Sequence, residues 1–434
     1  MSVGLQRLRD HPELLRTATS DKGEDPGVVD RALDLDVRRR DLLAIGDRLK
    51  AERNEASRKI GEAVRAGAEP NGPQVAELRA ASTGVSERVT ATDAELAGVQ
   101  AALDDAMLRI PNPADGDVPV GGEDANVVVR TWGEPLPSEG RLPHWEIAEA
   151  HGLIDNVRGA KITGSGWPVY VGAGSNLQRA LINWFLDVHT RENGMTEVWP
   201  PVLVNADSAR GTGQIPDKED QMYVASRDDL YLIPTAEVPV TNLHRDEILA
   251  ADALPIRYAA YSASFRREAG AAGRDTRGIL RVHQFDKVEM VSFVRPGESE
   301  AELEWLTERA ELLLQRLGLA YRVLLMSTRE MGFVQARKYD LEVWAPGAER
   351  WLEVSSVSNF RDYQARRMAI RHRPADGGKP ELVHTLNGSA LALPRTVAAI
   401  LETHQQPDGS VLIPDVLRPY FGGLERIGTA GRTG

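Results

Sequence analysis

The sequence predicts an α+β protein: an antiparallel sheet flanked by helices, preceded by an antiparallel two-helix coiled-coil arm. Two contrasts along the chain predict it. Residues 29–110 contain no Trp, Tyr or Phe and are rich in Ala, Leu, Glu and Arg, whereas beyond residue 140 aromatics appear and β-branched runs alternate with helical stretches. In that second part strands outnumber the helices between them, which suits an antiparallel sheet better than repeated βαβ units. The boundary is placed at residue 113, giving an arm domain over 1–113 and a mixed domain over 114–434.

The arm comes first. From Val75 the apolar or small positions run Val75, Leu78, Ser82, Val85, Val89, Thr92, Leu96, Val99, Leu103, Ala106, Ile110. This unbroken alternation of three and four is the seam of a coiled coil. Upstream, Leu35, Leu42, Leu49 and Ala56 recur seven apart with Ile45 between, and the Gly/Pro-rich residues 67–73 separate the two runs. Gly and Pro cannot continue a helix there, so the chain turns, giving a hairpin of two helices roughly 50 Å long. The second helix ends at Ile110-Pro111-Asn112-Pro113, where a Gly/Pro/Asp-rich linker to about residue 140 begins.

In the mixed domain, residues 175–193 read as an amphipathic helix carrying Leu177, Leu181, Trp184, Phe185 and Val188. Residues 196–199 read as a strand closed by Pro200-Pro201. Further strands are expected at 230–233, 282–291, 321–326, 339–344 and 350–355, and helices at 299–317 and 395–403. No internal repeat is present.

Composition narrows the function. With 52 Lys plus Arg against 64 Asp plus Glu, the 434-residue chain carries a formal charge of −12, which argues against a broadly basic nucleic-acid binder. The distribution matters more than the total: residues 38–59 hold eight basic side chains (Arg38, Arg39, Arg40, Arg48, Lys50, Arg53, Arg58, Lys59) against four acidic ones. One side of the arm can therefore meet phosphate; the alternatives are a solvated face or a dimerisation coiled coil. No apolar run reaches the roughly 18 residues of a membrane helix and no signal-peptide block opens the chain, so a cytoplasmic protein without a membrane partner is expected. The absence of Cys excludes disulfides, a Cys nucleophile and thiolate metal sites.

Phosphate-loop, H-E-x-x-H and G-x-S-x-G signatures are missing. The dense segment is 265–289, where Arg266, Arg267, Arg274, Arg277 and Arg281 surround a Gly-rich centre with strand-like ends. Guanidinium groups on rigid strands can hold a polyphosphate bidentately, although a surface hairpin with solvated arginines has the same pattern. Context separates the two. Phe265-Arg266-Arg267-Glu268, with Arg395 far downstream after Gly388-Ser389, is the two-part arginine pattern of class II aminoacyl-tRNA synthetases.

On these residues, together with 234–248 around Thr235-Ala236-Glu237, 351–360 around Glu353, and Leu386-Asn387-Gly388-Ser389, the chain resembles bacterial-type seryl-tRNA synthetases over essentially its whole length. The resemblance implies a class II catalytic domain behind a tRNA-binding arm. It implies ATP-dependent activation of L-serine and transfer to the 3′ end of serine tRNA, and by family also selenocysteine tRNA. Arg266, Glu353 and Arg395 would be catalytic. Arg266 would meet the ATP α-phosphate, Arg395 the γ-phosphate, Glu268 the adenine amino group, Phe285 the ring and the Val282 backbone its edge. Arg267, Val354, Ser355 and Ser356 complete the implied ATP site, and Glu353 with Ser356 would hold Mg²⁺. Thr235, Ala236, Glu237, Arg266, Glu289 and Ser389 match the serine pocket, Glu237 taking the ammonium group and Glu289 the hydroxyl. Relatives with a thiolate zinc pocket are excluded by the missing Cys, so no zinc is expected. The helix and strand ending at Pro201 match the motif that forms the family's homodimer.

Three departures from the family pattern stand out: Ser264 and Val357 where Cys is common, and Arg329 where Gly is usual. The first two conserve volume approximately; Arg329 places a long cation near the nucleotide-facing loop. Two other functions remain open, a carrier-protein aminoacylating paralogue, which would lack the arm, and a non-catalytic relative, which would have lost pocket or arginine residues.

Overall fold

The computed structural model describes residues 3–269 and 277–428. Two compact units are resolved by contacts: Met1–Ser20 with Glu24–Pro111, and Asp21–Gly23 with Asn112–Gly434. Arg274 and the centre of its Gly-rich segment lie outside the described residues.

In the first unit two helices, α1 (Gly27–Arg65) and α2 (Pro73–Leu108), form the hairpin the seam predicts. At 39 and 36 residues they are each roughly 55 Å long. Gly67, at φ 95°, takes the left-handed conformation after α1, and Pro73 opens α2 where its missing N–H costs nothing. Every seam position from Val75 to Ala106 is buried or half-buried, and Leu42 and Leu49 are buried in α1. Part of the basic face is neutralised within the hairpin, where Arg38 pairs with Glu95 and Lys50 with Asp93, while Arg88 of α2 takes up the acidic Glu52 of α1.

The second unit is built on an eight-stranded sheet. Its strands are β1 (Val127–Trp132), β2 (Thr196–Val198), β3 (Ile256–Phe265), β4 (Gln284–Val294), β5 (Tyr321–Leu325), β6 (Arg337–Ala345), β7 (Arg350–Asn359) and β8 (His384–Ala392). They lie in the order β1-β5-β6-β7-β8-β4-β3-β2. All neighbours are antiparallel except β2 and β3. The expected linker is corrected here: its Val127–Trp132 stretch is edge strand β1, paired with β5. A polar strand without clean alternation, β8, was not anticipated, yet it lies at the centre of the sheet between β7 and β4.

Helices α3 (Ala173–Asp187), α5 (Ser299–Arg316) and α7 (Leu393–Thr403) bury their apolar stripes with Val288, Met290, Leu341 and Val357 in one large core. Leu177, Leu181, Trp184, Phe185 and Val188 are all buried there, as the amphipathic spacing requires. Two short helices, α4 (Glu237–Thr241) and α6 (Tyr363–Met368), belong to the other side. Val240 and Met368 pack with Val291 and Phe293 in a second cluster. Strand β4 thus alternates between the helix-covered core and a face that carries chemistry.

Candidate active site

That second face opens into a cavity of about 440 Å³ lined by β4, β6, β7 and β8, the end of β3 and the start of α7. Side-chain alternation selects what points into it. Phe285, Lys287 and Glu289 share one face of β4, and Ser389 and Asn387 lie opposite Glu289 and Val291 across the β8 pairing.

Glu353 and Ser356 are three residues apart and would face opposite sides of a regular strand. A register shift in the β6–β7 ladder corrects this: Glu342 pairs with Glu353 and Leu341 with Ser355, so Val354 is the extra residue of a bulge. Glu353 and Ser356 consequently share the cavity face with Lys338 and Asp340, the latter opposite Ser356.

At one end of the cavity, Arg266 leaves β3 with its N–H donating to the His283 carbonyl at 2.9 Å, and its guanidinium lies 5.0 Å over the Phe285 ring. Arg395, in the first turn of α7, donates to the Glu353 carbonyl at 2.8 Å and lies 3.4 Å from its carboxylate. Glu268 accepts from Arg281 at 3.0 Å. Desolvation by the cavity walls, followed by repulsion from Arg395, lowers the Arg266 guanidinium below its usual range, although the residue stays open to solvent through the cavity. Enclosure would raise the Glu353 carboxyl, but Arg395, Lys338 and Arg266 together pull it below the ordinary value. Burial pushes Asp340 up to about 6. Two cations over a cavity floor of oxygen donors make a site for a polyphosphate with a hard cation.

The other end is a buried polar network. Lys287 donates to the Thr235 hydroxyl at 2.8 Å and forms an ion pair with Glu289. The Asn387 amide donates to Glu237 at 3.0 Å and to Glu289 at 2.8 Å, and Ser389 donates to Glu289 at 3.4 Å. Gln364 of α6 donates to the second Glu237 oxygen at 2.7 Å while accepting from Thr385 at 2.7 Å. Burial, and next the Glu289 charge, push the Glu237 carboxyl up to about 7.

Most sequence-selected residues thus meet in one cavity: Thr235, Glu237, Arg266, Glu268, Val282, Phe285, Glu353, Val354, Ser355, Ser356, Ser389 and Arg395 all line it. Glu289 sits just behind, held by Lys287 and Asn387. Two residues are placed elsewhere. Ala236 is fully buried in the second apolar cluster, and Arg267 turns outward to donate to the Asp220 carbonyl at 2.8 Å. Exposed Arg329 stays off the cavity wall, although Glu330, Met331 and Gly332 line it. Sequence reasoning missed Lys287, Asn387 and Gln364. The first two lie two positions from Glu289 and Ser389, so strand periodicity would have placed them on the same faces; no such signal exists for Gln364 on its helix.

An antiparallel sheet with one arginine at the end of β3 and a second opening the helix after β8, over one nucleotide-sized cavity, defines the core of a class II aminoacyl-tRNA synthetase. Residues 222–404 match the model of the tRNA synthetase class II core domain (G, H, P, S and T), and residues 4–114 that of the seryl-tRNA synthetase N-terminal domain. The chain is 53% identical to a serine–tRNA ligase of Thermomicrobium roseum over 98% of this chain and 95% of that protein. It is 51% identical to the serine–tRNA ligase of Exiguobacterium sibiricum over 98% and 99% of the two chains. The crystal structure of seryl-tRNA synthetase from Pyrococcus horikoshii complexed with ATP superposes with a TM-score of 0.89 at 38% identity, covering 98% of this chain and 99% of that one. The chain belongs to the seryl-tRNA synthetase family.

Proposed function

We propose that the protein activates L-serine with ATP and transfers the seryl group to the 3′ end of serine tRNA and, by family, selenocysteine tRNA. The observation that carries this reading is continuity: the arginine-rich end and the polar Thr235, Glu237, Lys287, Asn387 and Ser389 line one cavity, with Glu289 held directly behind it. ATP lies with its adenine on Phe285 and near Glu268 and Val282. Its α-phosphate meets Arg266 and its γ-phosphate end meets Arg395. The serine carboxylate attacks the α-phosphorus, an oxygen–phosphorus bond forms, and pyrophosphate leaves. Arg266 offsets the charge that grows in that transition state. No acid–base dyad is needed, because positioning and electrostatics suffice.

Serine specificity rests on polar groups left unpaired when the hydroxyl is missing. Glu237 takes the ammonium group, and Glu289 with Ser389 the hydroxyl. Glu353 and Ser356, aligned by the bulge, are oxygen donors that would hold Mg²⁺, which would supply neutralisation of phosphate charge. Because the chain has no Cys and the amino-acid pocket is built of carboxylates, amides and hydroxyls, a zinc-free pocket is the reading.

The arm, α1 and α2, is the surface for tRNA. Among the described residues Arg48 and Arg53 of α1 make no ion pair, which leaves them for phosphate. Homodimerisation through α3 and β2 is supported by Trp199, which follows β2 and is 76% exposed, with half-exposed Val202 and Leu203 beside it. The setting is the cytoplasm, and no helix among the described residues is long and apolar enough to cross a membrane. The test is ATP–pyrophosphate exchange: serine should support it, and equal exchange with alanine or threonine would overturn the pocket assignment.

A further inference from the structure

The amino-acid end of the cavity has a symmetry problem. Glu237 and Glu289 are both buried carboxylates, and the Asn387 amide reaches both, at 3.0 and 2.8 Å. Serine brings one ammonium group and one neutral hydroxyl. On charge alone either carboxylate attracts the ammonium, so charge alone does not orient the substrate between them. A second buried cation breaks the tie. Lys287 is 5% exposed, ion-paired to Glu289 and 2.8 Å from the Thr235 hydroxyl. The strand beside it makes room, since Ser262 and Ala260 of β3 stand opposite Lys287 and Glu289. Burying a cation is costly unless it is paired, and here it has two partners, both on the substrate side of the sheet.

We infer that Lys287 gives the pocket its polarity: by pairing with Glu289 and holding Thr235, it reserves Glu289 as an acceptor for a neutral hydroxyl and leaves Glu237 as the carboxylate that takes the ammonium group. The inference rests on the serine reading of this site and deepens it. Within the group of Glu237, Glu289 and Lys287, two carboxylates and one lysine leave a single negative charge, which the substrate ammonium offsets. Lys287 is a positioning residue, acting on serine through Glu289 and Thr235. Around Glu237 stand Lys287 and Glu289 from β4, Asn387 from β8, Gln364 from α6 and, from the loop ahead of it, Lys218; the two lysines favour its ionised form and Glu289 opposes it.

The experiment is pyrophosphate exchange by the full-length enzyme across pH 6 to 9, with serine and with L-2,3-diaminopropionate, in which an ammonium replaces the hydroxyl. Wild type with serine is the control: if it gives no exchange, the serine reading fails rather than this inference. In Lys287→Met the serine KM should rise about tenfold or more with kcat changing much less, because the loss is in orienting the ground state. Its acid limb should move to higher pH by about one unit as Glu237 loses a favourable neighbour. The diaminopropionate-to-serine ratio of kcat/KM should rise about tenfold, since Glu289 is released to take a second ammonium. The double variant Lys287→Met/Glu289→Gln removes both charges, leaves no carboxylate unpaired, and should bring the acid limb back to or below its wild-type position. An unmoved acid limb and an unmoved substrate ratio in Lys287→Met would overturn the inference, as would a double variant whose limb stays where the single variant put it. Should the single variant fail to fold, the double variant decides, because its limb must not lie above wild type.

Discussion

The proposed role of Glu237 in taking the serine ammonium ties substrate binding to pH. The Glu237 carboxyl rises from 4.5 to about 7, by burial first and by Glu289 second. A carboxyl whose pKa is higher in the folded chain than in the unfolded one favours folding at low pH, and that advantage is lost as pH rises through the folded value. The window therefore runs from pH 4.5 to about 7, and across it the group withdraws about 3 kcal/mol of stability. The empty enzyme bears that cost at neutral pH, and a bound ammonium group relieves it. Serine binding should need the ionised form, about 9% populated at pH 6 and about 91% at pH 8, so kcat/KM for serine should fall about tenfold between those values. In Glu237→Gln the acid limb should vanish and serine kcat/KM at pH 8 should fall at least roughly 30-fold, the lower end of the cost of truncating a buried charge pair. The same variant should lose less stability than wild type between pH 5 and pH 8. Exchange kinetics and denaturant midpoints measured over that range check both halves. If Glu237→Gln keeps the wild-type acid limb, or loses stability with pH as steeply as wild type, Glu237 is not the group that titrates.

Arg266→Ala should cut serine-dependent exchange by about a thousandfold with an unchanged circular dichroism spectrum, because it removes the cation aimed at the reacting phosphate. Phe285→Ala should raise the KM for ATP about tenfold while leaving that for serine nearly unchanged, since the ring is proposed to stack on the base and lies at the arginine end of the cavity. Deleting residues 29–110 should spare serine activation and abolish charging of serine tRNA, and retained charging would remove the arm from tRNA recognition.

Legibility in the sequence followed physical cause. The arm was readable because a hairpin's whole stability rests on one stripe, so its three-and-four spacing is uninterrupted from Val75 to Ile110. The cavity strands with apolar partners were found for a similar reason. Strand β8 was hidden because Thr385, Asn387 and Ser389 are cavity and network residues at the sheet centre and Gly388 leaves its core side bare against Met290 and Val357, so the apolar signature of a buried strand is missing. Strand β1 was concealed by the Gly- and Pro-rich stretches on either side, although Val127 to Val129 are β-branched. The bulge at Val354 is invisible to a period-two reading, which would have turned Ser356 away from Glu353. Gln364 depends on tertiary packing of α6 against α4 and β8 and leaves no local trace.

Strand β4 acts as a molecular ruler. Phe285, Lys287 and Glu289 stand on one face at intervals of about 7 Å, so the ring proposed to stack on the base and the carboxylate proposed for the hydroxyl are about 14 Å apart along a single rigid element. The length of substrate that can be read is thereby fixed by the pleat of one strand rather than by loops. Removing a single residue between 285 and 289 would rotate part of that face into the helix-covered core and bring Val288 or Met290 out in exchange. Changes of length in this segment are therefore tolerable only in pairs, and each pair would lengthen or shorten the ruler by one full ligand spacing.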